Sequence, residues 1–398
     1  MKYIVILGDG MADRPIKELH GKTPLMVSKK PNIDKLAKLG SVGLISTVPK
    51  TLPPGSDVAN LSVIGYPPEK YYTGRSPLEA LSMGIDMSPS DIAVRCNLVT
   101  LSDDGKMQDY SAGEISSGEA AELISAINAR LGSEKYVFYA GVSYRHCLII
   151  KNGGNLPALT PPHDITGKDA IGYLPEGELS ELILQSGKIL KNHPINLERI
   201  ARGENPATHI WLWGAGKKPN LDDFFKTYGL NGCVISAVDL LKGIAKGAGM
   251  DAPDIEGATG TLQTNYKGKA SAVIDALKSG KNYVYLHIEA PDECSHQGDL
   301  EGKIRAIELV DKTLGLVLDY LEKEDCPFVL SVLPDHSTPL TTQTHGREPV
   351  PYLIYRSQEH LDLGIQYNEI DAQRGKFLDS GESLIKEMLQ TNNRKTNT

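Results

Sequence analysis

The sequence predicts an α/β protein, a mostly parallel sheet flanked by helices and interrupted by a smaller α+β domain. Three observations carry this. Short apolar runs of strand length alternate with amphipathic helical stretches towards both ends of the chain. Three of those runs lead into an aspartate: Tyr3–Leu7 into Gly8-Asp9-Gly10, Tyr283–Ile288 into Pro291-Asp292, and Phe328–Leu333 into Pro334-Asp335. Between 91 and 204 the βα rhythm lapses. For 398 residues two domains are expected, a core of 1–90 and 205–398 and an insert of 91–204.

Taken in order, Tyr3–Leu7 opens the chain as a buried strand. Ile33–Leu39 carries a short helical period that Gly40 closes, and Val42–Ser46 is strand-like. Pro53-Pro54-Gly55-Ser56-Asp57 leads into Val58–Ile64 and Gly65, the form of a helix with Ser56 at or near its N-cap and a glycine stop. In the insert, Ile92–Val99 is strand-like and Ser117–Leu131 is an amphipathic helix. Tyr136–Ala140 and Arg145–Ile150 form a hairpin around Gly141-Val142-Ser143, a Pro-rich loop spans 157–167, and Leu179–Leu190 is a second helix. After 205 the rhythm returns with strands at Ile210–Trp213 and Gly232–Ser236 and a helix at Val238–Ala248. Thr259 to Lys269 reads as a polar loop before a short helix, Val273–Leu277. Leu300–Leu321 is a long helix with Ile304, Ile307, Val310, Leu314, Val317 and Leu321 on one face. Pro351–Tyr355 is the last strand, Ser383–Leu389 the last helix, and 392–398 a frayed polar tail.

Composition excludes some function classes. The net charge is −8 and basic clusters such as Lys217-Lys218 are short, which argues against a nucleic-acid partner. Five scattered cysteines, at 96, 147, 233, 294 and 326, form no CxxC pair and point to free thiols in a reducing compartment. The N-terminus lacks a basic n-region and no apolar run has the length to cross a bilayer, so a cytoplasmic protein without a membrane partner is expected.

The chemistry gathers at the strand ends. Asp335-His336 and His345 follow one strand, Asp292 and His296 another, and Asp9 a third. Carboxylate and imidazole are ligands of divalent metals. In open α/β sheets the site lies beyond the carboxyl ends of the strands, so parallel neighbours would bring these residues together. Three aspartates and three histidines are too many for one metal and suit two. A single aspartate after a strand is an ordinary turn former or cap; the repetition is what points to a metal site. Ser56 has two readings. One is a helix cap. The other is a nucleophile at a helix N-terminus, where phosphate is favoured and a metal can lower the hydroxyl pKa. His163-Asp164 on the Pro-rich loop have two readings, a surface turn and a pair that an ordered loop aims at a substrate. Gly214-Ala215-Gly216-Lys217 is a weak candidate phosphate turn without P-loop spacing.

Asp9, Ser56 within 54–60, Asp292 and His296, Asp335-His336 and His345 together resemble the alkaline phosphatase superfamily. Leu7–Met11, Tyr72–Glu79, Arg95–Val99, His287–Asp292 and Pro334–His336 more closely resemble the archaeal-type cofactor-independent phosphoglycerate mutases, over nearly the whole length. The resemblance implies an alkaline-phosphatase-like core and two divalent ions, Mn²⁺ foremost, with Mg²⁺, Co²⁺ or Zn²⁺ compatible with the same donors. One ion would take Asp9, Ser56, Asp335 and His336, the other Asp292, His296 and His345. It implies 3-phosphoglycerate and 2-phosphoglycerate interconversion through a phosphoserine on Ser56, without 2,3-bisphosphoglycerate. His163 would be the general acid/base with Asp164 beside it, and Arg95 and Arg145 would anchor the substrate carboxylate, with Arg75 a lesser candidate. Lys269 would stabilise the transferring phosphate, and the insert would shut out water. Rival readings on the same core are a metal-dependent phosphomonoesterase, a homoserine kinase-like phosphotransferase, and a binding protein without catalysis. Oligomeric state is open.

Overall fold

The structure, a computed structural model, describes residues 1–324 and 326–390; the expected polar tail at 392–398 lies outside them. Strands β1 (Lys2–Gly8) and β2 (Ser41–Ile45) come first. They are followed by β3 (Ile92–Leu101), β4 (Met107–Asp109), β5 (Tyr136–Val142), β6 (Arg145–Ile150) and β7 (His209–Lys217). The last five are β8 (Gly232–Ile235), β9 (Tyr283–Ile288), β10 (Phe328–Leu333), β11 (Val350–Arg356) and β12 (Phe377–Leu378). The chain divides into two compact units, one made of Met1–Tyr72 and the chain from Leu221 onward, the other of Thr73–Asn220.

The first unit holds a seven-stranded sheet in the order β12-β2-β11-β10-β1-β9-β8. β10, β1, β9 and β8 are parallel, while β11 runs antiparallel to β10 and β2. The three aspartate-tipped strands are therefore parallel neighbours, with β1 in the middle. Leu7 pairs with Leu333 and Gly8 with Ile288, so the chain leaves β1 and β10 at the same level. β9 and β10 are buried throughout and β1 nearly so, as strands covered on both faces must be. Val310, Leu314 and Val317 of the helix Leu300–Leu321 join Ile4, Ile6, Leu286 and Leu330 of these strands in one core.

Two local expectations are corrected. The helix after Gly55 begins at Ser56 itself, with Gly55 in the cap position and no side-chain cap bond, so Ser56 is not the cap. The polar loop ends earlier than expected. Tyr266–Lys278 is one helix, capped by Asn265 Oδ1 accepting the Gly268 N–H (2.8 Å), and Lys269 is buried in its first turn.

The second unit is wider than 91–204 at both ends. β7 pairs antiparallel with β3, from Ile92–Lys217 to Val99–His209, which places Ile210–Trp213 in this sheet rather than in the core. The helix Arg75–Ser82 belongs to this unit, and Ser76 Oγ donates to the Gly214 carbonyl. β4-β3-β6-β5 complete the sheet, and helices Ser117–Leu131 and Glu178–Leu190 join its hydrophobic core. Gly214–Lys217 is part of β7, where Gly216 and Lys217 lie opposite Ala93 and Ile92, so it forms no phosphate turn. Among the described residues no helix is long and apolar enough to cross a membrane.

The helix Pro31–Leu39 has no cap of its own. Asp311, from the long helix, accepts the Ile33 N–H (2.8 Å) and the Asn32 side-chain amide (2.9 Å) in its place. Asp311→Ala orphans that buried donor and lowers stability by about 1–2 kcal/mol. The check is a lower urea midpoint at unchanged slope.

Candidate metal centre

Asp9 follows β1, Asp335 follows β10, and Asp292 lies in the short helix Ala290–His296 after β9. All three carboxylates are buried. Asp335 Oδ1 accepts the backbone N–H groups of Gly10 (3.2 Å) and His336 (2.9 Å), and its Oδ2 accepts from Asn60 Nδ2 (2.8 Å). Asn60 lies one helical turn beyond Ser56. Its Nδ2 also donates to the Ser56 carbonyl (2.8 Å), and its Oδ1 accepts from Tyr285 (2.6 Å). One amide thus ties the start of the Ser56 helix to Asp335.

Asp9 is held on one side only. His287 Nε2 reaches its Oδ2 at 3.0 Å, while Oδ1 is buried without a hydrogen-bond partner. The network assigns the histidine tautomer. Ser236 Oγ accepts the Val238 N–H (3.0 Å) and directs its own proton to His287 Nδ1 (3.2 Å), which leaves Nε2 as the N–H donor to Asp9. Burial pushes His287 down to about 3, so the ring is neutral. Burial, and then the charges of Asp335 and Asp292, raise the Asp9 carboxyl well above its ordinary range. A buried carboxylate among like charges behaves this way.

His336 joins the two sides. Thr338 Oγ1 donates to Asp292 Oδ1, and its oxygen accepts from His336 Nδ1 (3.2 Å). Nε2 of His336 then carries the lone pair, 3.2 Å from Ser56 Oγ and 3.5 Å from Asp9 Oδ1. That is the tautomer a metal requires, fixed from behind by a hydroxyl. Burial lowers the His336 pKa.

A third convergence is formed by Asp292 Oδ2, His296 Nε2 and His345 Nε2, with separations of 3.0, 3.1 and 3.7 Å. His296 Nδ1 donates to the Gln343 carbonyl (2.8 Å), which orients the ring. Ligands about 2.0–2.2 Å from one cation have similar mutual spacing. Burial would raise Asp292, but its bonds to His296 and His345 hold it well below the usual carboxylate range. The same bond raises His296 to about 9. Asp292-His296-His345, Asp9-Asp292-His336 and Asp9-His287-Asp335 each place their ligand atoms within 4.8 Å of one another.

All seven expected ligands are therefore gathered in the first unit. His287, Asn60 and Thr338 escaped the sequence reading. A histidine inside an otherwise apolar strand and an asparagine one turn after Ser56 were the available signals. Lys269 lies 3.4 Å from the carbonyls of His287 and Thr259, and burial lowers it to about 8.

The other five candidates lie in the second unit, on a connected polar and aromatic patch. Arg95 is not a free anchor. Its Nε donates to Glu79 Oε2 (2.7 Å), its Nη2 to Oε1, and its guanidinium stacks 4.5 Å from the Trp213 ring. Arg75 shares the same glutamate at 3.4 Å. Arg145 is exposed and lies 5.8 Å from the Tyr144 ring. His163 lies edge-on between Trp213 (5.3 Å) and Tyr110 (6.2 Å), with Asp164 Oδ1 3.7 Å from its Nε2.

A family profile described as 2,3-bisphosphoglycerate-independent phosphoglycerate mutase matches residues 37–196. A Methanosarcina barkeri protein of that description is 50% identical over 384 residues, covering 95% of this chain and 96% of its own. One from Methanothrix thermoacetophila is 47% identical over 392 residues, covering 97% and 99%. Among solved structures, a Pyrococcus horikoshii protein is 30% identical with a TM-score of 0.82, covering 97% of this chain and 96% of its own. The cofactor-independent phosphoglycerate mutase of Thermoplasma acidophilum is 26% identical with a TM-score of 0.67, covering 98% and 99%.

The raised His296 has a measurable consequence in protein stripped of metal. Its folded pKa of about 9 exceeds an unfolded value near 6.5, so its stabilisation is complete below about pH 6.5 and lost as pH rises through 9. NMR titration of the metal-free chain should show the His296 ring protonated at neutral pH. In Asp292→Asn the midpoint should fall towards 6.5.

Proposed function

The chain belongs to the 2,3-bisphosphoglycerate-independent phosphoglycerate mutase family, and from that premise we propose that it interconverts 3-phosphoglycerate and 2-phosphoglycerate through a phosphorylated Ser56 at a dinuclear metal centre. The observation that carries this reading is the buried carboxylate cluster, with Asp9 Oδ1 unpartnered, reaching Ser56 through His336. Asp9, Ser56, Asp335 and His336 would hold one cation, and Asp292, His296 and His345 the other. Mn²⁺ suits this donor set, as do Mg²⁺, Co²⁺ and Zn²⁺. When bound, the two ions supply positive charge to the transferring phosphoryl group and lower the pKa of the Ser56 hydroxyl.

The chain's own residues do the rest. Ser56 Oγ gives up its proton and attacks the phosphorus of 3-phosphoglycerate in line with the C3 oxygen. The P–O bond to C3 breaks, and that oxygen takes up a proton. Glycerate stays bound and reorients. Its C2 oxygen gives up its proton and attacks the phosphoserine, which restores the Ser56 hydroxyl and yields 2-phosphoglycerate. Ser56 opens a helix, whose N-terminal dipole favours the phosphate. Lys269 adds a buried cationic group on the first unit. We assign the proton transfers to His163, with Asp164 beside it, and the carboxylate anchor to Arg145, whose guanidinium is exposed and stands apart from the Glu79 pairs. Arg95, fixed by Glu79, has Nη1 left to offer, and Arg75 is a peripheral contact.

Ser56→Ala should leave folding and metal binding intact and reduce turnover by at least about 10³-fold, the scale of losing a nucleophile. An enolase-coupled assay measures it. Full turnover in that variant would reduce Ser56 to a structural residue. The same incubation with wild-type protein should conserve organic phosphate. Stoichiometric release of inorganic phosphate would identify a phosphomonoesterase instead. Chelation should abolish activity, and Mn²⁺ should restore it.

A further inference from the structure

Lys303 is fully buried, and nothing in the reaction above uses it. It lies in the first turn of the helix Leu300–Leu321, shortly after Asp292 and His296. Its Nζ donates to Asp13 Oδ2 (2.8 Å), the Thr338 carbonyl (2.9 Å) and the Ala12 carbonyl (3.3 Å). An ammonium has three donors, and all three are used. The acceptors come from the segments that leave β1 and β10 with Asp9 and Asp335-His336. Asp13 extends the tie, since its Oδ2 also accepts the Leu340 N–H (3.2 Å) and its own N–H donates to Glu369 Oε1 (2.9 Å). Thr338 is the important acceptor. Lys303 holds its carbonyl, while its hydroxyl bonds Asp292 Oδ1 and His336 Nδ1.

A buried ion pair is a poor source of stability. Desolvation offsets most of its attraction, and apolar residues of equal volume often serve as well. What the pair supplies is directional: three hydrogen bonds from one point to two chain segments. We infer that Lys303, partnered by Asp13, is a positioning residue. It pins the segments after β1 and β10 to the helix following Asp292, and thereby sets the spacing between the two metal-ligand groups. The inference rests on the dinuclear reading of the site. It differs from a packing role, in which the pair only fills space and satisfies carbonyls.

The test uses the full chain, stripped of metal and titrated with MnCl₂ by calorimetry. Lys303→Met, Asp13→Asn and the double variant are compared with wild type. Circular dichroism and the metal-free Tm report folding. The electron paramagnetic resonance spectrum of the loaded protein reports coupling between the two Mn²⁺ ions. Every folded variant should bind Mn²⁺ about 10–100-fold more weakly, the scale of losing a ligand's supporting contact, with altered coupling. The double variant removes the charges of both partners together. It should recover the metal-free Tm more than either single change, but not the affinity. Wild-type affinity and coupling in the double variant would overturn the inference. So would failure of all three to fold, which would make the pair structural. If wild-type protein binds no Mn²⁺, the metal-centre reading falls and this inference falls with it.

Discussion

Mutual repulsion among three buried carboxylates is the constraint that the hydrogen bonds around the first unit's site answer. Asp9, Asp292 and Asp335 are brought together because β1 lies between β9 and β10 in parallel register. Like charges in a low-dielectric interior cannot all ionise without compensation. The surrounding hydrogen bonds distribute that compensation unevenly. Asp335 takes two backbone N–H groups and an amide. Asp292 takes two imidazoles. Asp9 takes one neutral histidine and keeps a bare oxygen. The shortfall is thus concentrated at the middle strand, between the two better-served carboxylates. A cation there would relieve all three.

The same constraint accounts for how the histidines are oriented. His336 and His296 each have Nδ1 engaged from behind, by Thr338 Oγ1 and the Gln343 carbonyl. Their Nε2 atoms face the carboxylates. His287 is reversed: Ser236 occupies its Nδ1 as a donor, so its Nε2 carries a proton and is a hydrogen-bond donor to Asp9. Of the four imidazoles at the cluster, these three therefore divide into two metal-competent rings and one supporting ring. The division is set by the oxygen atoms behind the rings, from Thr338, Gln343 and Ser236.

Much of this was legible in the sequence because it is local. An apolar run ending in aspartate is visible residue by residue, and so are the periods of Ser117–Leu131 and Leu300–Leu321. What was not legible depends on pairing between distant segments. Nothing near Ile210–Trp213 reveals that it pairs with β3, so the insert boundary fell short. Arg95 reads as a free cation until Glu79 from a separate helix takes two of its nitrogens. Lys269 stands among polar residues that read as a loop, yet the Asn265 cap starts a helix that buries it. Ser56 was ambiguous because the motif for a capped helix and that for an activated hydroxyl share a residue. Gly55 taking the cap position removes the first reading.

The metal-ligand set alone does not distinguish a mutase from a phosphatase, since both need a hydroxyl made nucleophilic and a phosphoryl group neutralised. The difference lies in the fate of the leaving alcohol. A hydrolase releases it and admits water; a mutase must hold a small, highly soluble acid through a reorientation. That task calls for a fixed positive charge for the carboxylate and a proton carrier whose ring does not wander. The second unit's patch has both properties within itself. Arg145 remains exposed beside Tyr144, and His163 is flanked by Trp213 and Tyr110. Trp213 is in turn held by its Nε1–H to Asn97 (3.0 Å) and by the Arg95 guanidinium stacked on its face. Arg95, removed as a free anchor by Glu79, thus acquires a different part: it stiffens the wall against which the imidazole rests. On the proposed roles, rigidity behind the imidazole is what this patch offers towards retention of the alcohol.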